Sequence, residues 1–199
     1  MLSIDQLNKN REDFITLVKS LETFKNHDTE GLIDWLDSSD FFYAPATSKY
    51  HGSYPGGLCE HSLRVYKTLC RLNETFACGY SDRTLKLVGL LHDLSKVDYY
   101  EEYSRNVKNA FGQWEQVKEY RIKDASSRQL GDKGVNAFLQ VSKYFPLTEE
   151  ETMALIYQYA GADKSECSED VLSILDKYSL TALIHVADIL SVYVEKEHE

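Results

Sequence analysis

No apolar run in these 199 residues approaches the ~20 that a membrane span requires. The opening MLSIDQLNKNRED is polar and mixed in charge, unlike a signal peptide. Both absences predict a soluble, cytoplasmic protein. Cysteine is scarce: the four residues Cys59, Cys70, Cys78 and Cys167 form neither a C-x-x-C spacing nor a paired pattern. That speaks against a zinc ribbon or a disulfide scaffold and predicts reduced core thiols. Positive charge is in deficit, with 22 Lys and Arg against 32 Asp and Glu and a net charge of -10. A polyanion such as duplex nucleic acid therefore meets net repulsion, whereas a small anionic substrate needs only a locally positive pocket. Internal repeats and low-complexity tracts are also missing, and only the charged VEKEHE end reads as a solvated tail.

What is present is enough for one substantial core, since 43% of the chain is hydrophobic. One domain over 1–199 is expected, its N-terminal helices (1–40) packed on a core of 41–196. Ile4, Leu7, Phe14, Ile15, Val18, Leu21 and Phe24 recur at helical spacing and predict an amphipathic helix over 4–24. A second runs from Thr29 to Leu36 with Asp28 as its cap. The stretch FFYAPATSKYHGSYPGG holds two of the three prolines and three glycines, so it is a loop. It leads into a helix over Leu58–Phe76. Ser81 caps another, which runs through TLKLVGLLHDLSK to about Asp98 and whose Gly89 suits close helix approach. Between Tyr103 and Ile122, strands around Ala110-Phe111-Gly112 predict a hairpin, the one strand pair expected. Further helices follow at 132–144, at 149–160 capped by Thr148, at 169–177 capped by Ser168, and at 180–196 capped by Ser179. The fold class is thus all-α with one small β-hairpin insertion.

Chemistry concentrates in three places. His61 stands in a helix just after a Gly-Gly turn, His92 and Asp93 are adjacent, and Asp188 sits in a late helix. Each alone is a weak signal, because a helical histidine is more often packed than ligating. Context strengthens them. His92 and Asp93 interrupt the apolar run LVGLL, where burying an unpartnered carboxylate costs several kcal/mol. Asp188 interrupts TALIHVADILSVYV in the same way; a cation would compensate it, and so would a helix cap or an arginine.

The strings YHGSYPGGLCEHSLRV, GLLHDLSKVDYY and HVADILSVY resemble the three signature segments of the HD-domain phosphohydrolase superfamily. More narrowly they are similar to a phage and bacterial group in which a proline-bearing loop precedes G-G-L-x-E-H-S-L-R-V. The likeness spans about 41–193 and implies an HD-domain helical bundle, in the host cytoplasm if the chain is phage-encoded. The family's ordered H…HD…D set falls on His61, His92, Asp93 and Asp188, which the resemblance makes metal ligands. Two imidazoles and two carboxylates suit one divalent transition metal ion: Mn, Fe, Co, Ni or Zn. Members with a second ion carry further histidines in segments corresponding to LGDKGVN and ALIYQYAGAD. Here Asp132 and Gln158 stand there, and no histidine occurs between His92 and His185. This argues against a second ion, although Asp132 keeps a carboxylate in reach.

Lys96 lies at i+4 from His92, on the same face if the helix continues. By resemblance to HD-x-x-K proteins it binds substrate phosphate; its plain alternative is a solvated lysine or a salt-bridge partner. Arg64, at i+3 from His61, is a second phosphate contact by the same geometry. His51, in the loop before the first ligand, is a substrate-binding candidate that could reach a leaving group, though loop histidines are usually just exposed. His185 either orients Asp188 or fills the core; His27 and His198 read as surface residues. The hairpin's Arg105, Lys108, Trp114, Lys118 and Arg121 could flank a nucleotide base, but cross-strand pairing is the simpler role. Tyr99, Tyr100 and Tyr103 could stack on a ligand or simply pack.

Together these readings predict a metal-dependent phosphohydrolase in which a metal-activated water attacks a nucleotide or a related small phosphate ester or anhydride. Asp93 and Lys96 are its catalytic residues, and Arg64, Lys96 and His51 bind substrate. Two alternatives stand beside it. One is a 3′ to 5′ exonuclease-like phosphodiesterase on single-stranded nucleic acid. The other is a non-catalytic HD domain that binds a nucleotide.

Overall fold

Helix α1 (Ile4–Lys19) starts where the Ser3 hydroxyl accepts the Gln6 N–H. Helix α2 (Thr29–Ser38) starts where Asp28 accepts the Gly31 N–H, the cap predicted for it. These contacts come from a computed structural model that describes residues 2–21, 25–129, 131–159 and 169–194. Then follow α3 (Gly57–Thr75), α4 (Asp82–Leu91) and a short 3₁₀ turn (Leu94–Lys96). An antiparallel hairpin comes next, built from β1 (Tyr100–Lys108) and β2 (Trp114–Ile122). The chain ends with α5 (Lys133–Val141), α6 (Glu149–Ile156), α7 (Glu169–Lys177) and α8 (Ser179–Tyr193). The described residues are mostly helical with one two-stranded hairpin. No helix among them is long and apolar enough to cross a membrane.

Two groups of buried side chains hold the helices. The first joins Phe14 and Val18 of α1 and Leu32 and Leu36 of α2 to Leu58 and Leu63 of α3 and Leu87 and Leu91 of α4. Phe14 packs on Phe41 and Phe42 with ring centroids 4.8 and 6.0 Å apart. Each such fully buried side chain contributes about 1.5–3 kcal/mol. The second group sets Val65 and Leu69 of α3 against Leu85 and Val88 of α4 and Leu180, Ile184 and Ala187 of α8. Helix α3 therefore lies between α4 and α8, and both groups run along it.

Gly89 permits the α3–α4 contact, because a Cβ there would stand 2.8 Å from the Tyr66 Cα. Gly89→Ala is expected to cost about 1–3 kcal/mol through overpacking, read as a lower urea midpoint at unchanged slope.

Several boundaries differ from the sequence-based expectation. Helix α1 stops at Lys19 rather than 24, α5 at Val141 rather than 144, and α6 at Ile156 rather than 160. Strand β1 begins at Tyr100, three residues early. Ser179 is the first residue of α8 rather than its cap, and its hydroxyl lies 2.6 Å from that of Tyr80. The largest difference is α4, which ends at Leu91 instead of running to Asp98. The predicted cap Ser168, with Cys167 and His198, falls outside the described residues.

Candidate metal centre

Helix α4 stops where side chains take the carbonyls at its end, one from its own cap residue and one from far along the chain. The His92 ring Nδ1–H donates to the Gly89 carbonyl at 2.9 Å, and the Gln158 amide donates to the His92 carbonyl at 2.7 Å. The chain then tightens, with the Lys96 N–H on the Asp93 carbonyl at 2.9 Å. Lys96 thus reaches the site across a 3₁₀ turn, not along a continuous helix face. Its ammonium meets Asp93 Oδ2 at 2.6 Å.

The break aims His92 at α3 and α8. His92 Nε2 lies 3.3 Å from His61 Nε2, which lies 3.1 Å from Asp188 Oδ1. His61, His92 and Asp188, the first two buried and the third half-buried, present one ligand atom each within 4.8 Å of one another, so this trio could hold a metal ion. Asp93 stands beside it with Oδ2 3.4 Å from both Nε2 atoms. Its oxygens are otherwise engaged, Oδ2 by Lys96 and Oδ1 by the Tyr159 hydroxyl.

The donor set fits a cation. Since the Gly89 carbonyl can only accept, His92 carries its proton on Nδ1 and turns a lone pair inward. That lone pair is satisfied by a proton on His61 Nε2 or by a metal. Asp93 and Asp188 against Lys96 leave one negative charge to be compensated, by a protonated His61 or by a metal. His61 and Asp93 are each only 1% exposed, where such a charge is costly. Nitrogen and carboxylate ligands at a buried site suit a divalent transition ion.

The electrostatics follow from these contacts. Burial lowers the His61 pKa, but the hydrogen bonds to Asp188 and Asp93 outweigh it and hold the ring above the ordinary histidine value. Burial raises Asp93, yet Lys96 and the two histidines hold its carboxyl well below the usual carboxylate range. Asp188 is lowered too, by His61 against its own burial. Lys96 is raised because Asp93 outweighs the loss of solvent. Burial and the charge of Asp93 push the Tyr159 phenol well above its ordinary value, so it stays a hydrogen-bond donor.

The structure also places the other predicted residues. His51 is near the centre, its ring 5.5 Å from that of His61. Burial and the nearby charges of His61 and Lys96 push it down to about 4, so it is neutral at pH 7. Arg64 has a buried Nε with no hydrogen-bond partner, and Nη2 rests 3.8 Å from Glu60. His185 donates to the Gln158 carbonyl at 2.8 Å and so braces the residue that caps α4. Asp132 caps α5 through the Val135 N–H. His27 is not a bare surface residue, for Arg83 donates to it at 3.1 Å and its ring packs on Phe145. Arg105, Lys118 and Arg121 make cross-strand ion pairs with Glu119, Glu102 and Glu101. Lys108 lies over the Trp114 ring, 5.2 Å from its centroid.

Three residues near the centre were not singled out from the sequence for these roles. Tyr159 binds Asp93 and Gln158 binds the His92 carbonyl, and nothing in the sequence marks either contact. Lys133 at the start of α5 lies 5.0 Å from the Tyr99 ring centroid, with Arg128 5.1 Å from the same centroid. Desolvation and the charge of Lys96 lower the Lys133 pKa. The chain matches no family model, and no curated protein or solved structure is significantly similar to it.

Proposed function

We propose that this chain is a metal-dependent phosphohydrolase of the HD type, acting on a nucleotide or a related small phosphate ester or anhydride. The observation that carries the reading is the convergence of His61, His92 and Asp188 from three separate helical segments, with Asp93 and Lys96 against them. His61, His92, Asp93 and Asp188 would hold one Mn, Fe, Co, Ni or Zn ion. When bound, such an ion supplies Lewis acidity toward water and a phosphoryl oxygen.

The chain's own residues supply the rest. Lys96 has three ammonium protons and uses one on Asp93, so the others can meet charge growing on a phosphoryl oxygen. Tyr159 and Lys96 fix Asp93 from both ends, so that as a ligand its carboxylate would steer the attacking water. Arg64 adds a guanidinium for a second phosphoryl oxygen. Neutral His51 offers the leaving group a hydrogen bond rather than a charge.

A panel of nucleoside mono- and triphosphates with Mn²⁺, Co²⁺ or Ni²⁺ tests the reading. Lys96→Ala is expected to lower kcat about 10²-fold or more while the bound metal persists. Loss of metal in that variant would refute the role given to Lys96. Absence of hydrolysis by the native chain across the panel would refute the reading itself.

A further inference from the structure

Outside the metal centre, the described residues enclose a cleft of about 720 Å³ between the loop at 47–53 and the hairpin. That is within the ~300–1,000 Å³ usual for small-molecule sites. We propose that this cleft binds a second phosphate group on the substrate whose first phosphate lies at the metal centre. The identity of that substrate rests on the phosphohydrolase reading; the cleft's preference for phosphate does not.

The lining is made of donors. Lys49 and Ser48 come from the loop, and Tyr103, Arg105 and Lys118 come from the hairpin; Glu119 is the one carboxylate. Three cations against one anion leave a net +2 on a chain whose total is -10. Glu119 is already committed, accepting from Arg105 Nε and Nη2 and, at 2.7 Å, from the Tyr103 hydroxyl. Its charge aims the guanidinium rather than opposing an incoming anion. Lys118 pairs only with exposed Glu102 at 2.7 Å, a contact of the kind worth little in water and readily exchanged. Lys49 lies within electrostatic reach of Glu119, whose carboxylate it helps hold low, and so places its ammonium at the same cleft. A nucleobase fits less well, because Arg121 already lies over the Tyr103 ring, 5.4 Å from its centroid.

The loop ties the cleft to the metal centre. His51 faces His61, and Lys49 and Ser53 are each two residues from it, within about 8 Å along the chain. The loop is braced from within: the Thr47 hydroxyl donates to the His51 carbonyl at 2.9 Å, and the Ala46 N–H donates to the Gly52 carbonyl at 2.8 Å. Gly52 has φ +62, and a Cβ on Gly57 at the start of α3 would stand 2.1 Å from the Gly52 oxygen. Helix α3 therefore carries His61 and seats the cleft wall together. One substrate bridging the two needs phosphates on either side of this loop.

The test is calorimetric titration of inorganic tripolyphosphate into the full metal-free chain, followed by kinetics. Native protein is expected to bind; Lys49→Glu and Arg105→Ala are expected to weaken binding roughly tenfold each at unchanged melting temperature. Lys9→Glu, the same charge change on the exposed face of α1, is expected to leave binding unchanged. No binding by native protein, equal binding by both cleft variants, or equal weakening by Lys9→Glu would overturn the inference. In the kinetic arm, Lys49→Glu is expected to raise KM for a nucleoside triphosphate or a dinucleotide while sparing a monophosphate. The arm affected identifies a polyphosphate chain or a phosphodiester as the source of the second phosphate, and an equal rise for the monophosphate would overturn the inference. A native chain that hydrolyses nothing defeats the phosphohydrolase reading, while the titration still decides the cleft.

Discussion

Replacing His92 with alanine is expected to reduce nucleotide hydrolysis by roughly three orders of magnitude or more and to leave the chain folded. His92 is the only one of the central residues whose ring is held at both ends: Nδ1 by the Gly89 carbonyl and Nε2 toward His61. Alanine removes an inward lone pair that the surrounding carboxylates cannot replace. The folded state loses one ring–carbonyl hydrogen bond and the packing of a fully buried ring, about 2–4 kcal/mol together, and the Gln158 contact to the His92 main chain remains. Asp93→Ala is expected to match it, with the added effect that Lys96 and Tyr159 lose their shared partner. Rates measured with Mn²⁺, Co²⁺ and Ni²⁺, beside a circular dichroism spectrum, check both. Activity within about tenfold of native in a folded His92→Ala chain would mean that the histidine is a packing residue.

Glu151→Ala is expected to be strongly destabilising, although it lies outside the metal centre. Glu151 is fully buried, and its carboxylate accepts from Arg83 at 2.7 Å, from the Thr84 hydroxyl at 2.8 Å and from the Thr148 N–H at 2.9 Å. It closes the capping box of α6 and ties that helix to α4. Truncating it takes a buried carboxylate from a guanidinium that is 15% exposed, a loss of about 3–5 kcal/mol. At roughly 2–4 °C per kcal/mol for a chain of this size, the melting temperature falls by about 10 °C. Scanning calorimetry checks it; a shift under about 2 °C would show that solvent replaces the carboxylate.

Local features were legible in the sequence. Asp28, Ser81 and Thr148 cap the helices predicted for them, because a side chain bonding a backbone N–H three residues away needs no tertiary contact. The hairpin was legible for the same reason, its nine paired positions being set by one tight turn. Asp188 stood out as an acid in an apolar helix, but only the fold decides between an arginine and a histidine partner, and His61 is 127 residues earlier in the chain. The break after Leu91 was not legible, since the apolar period runs straight through LLHDLSK. What ends the helix is Gln158, 66 residues away, holding the His92 carbonyl. His185 on the Gln158 carbonyl and Tyr159 on Asp93 are likewise long-range contacts, which no local pattern marks.

Metal uptake by the cluster of His61, His92, Asp93 and Asp188 is read directly by titration. Apo-protein titrated with Mn²⁺, Co²⁺ or Zn²⁺ near pH 7.5 is expected to take up about one ion per chain, releasing protons as it does so. His61→Ala and Asp188→Ala are expected to abolish the uptake. A native chain that binds no ion, or an Asp188→Ala variant that binds one as tightly as native, would contradict the account.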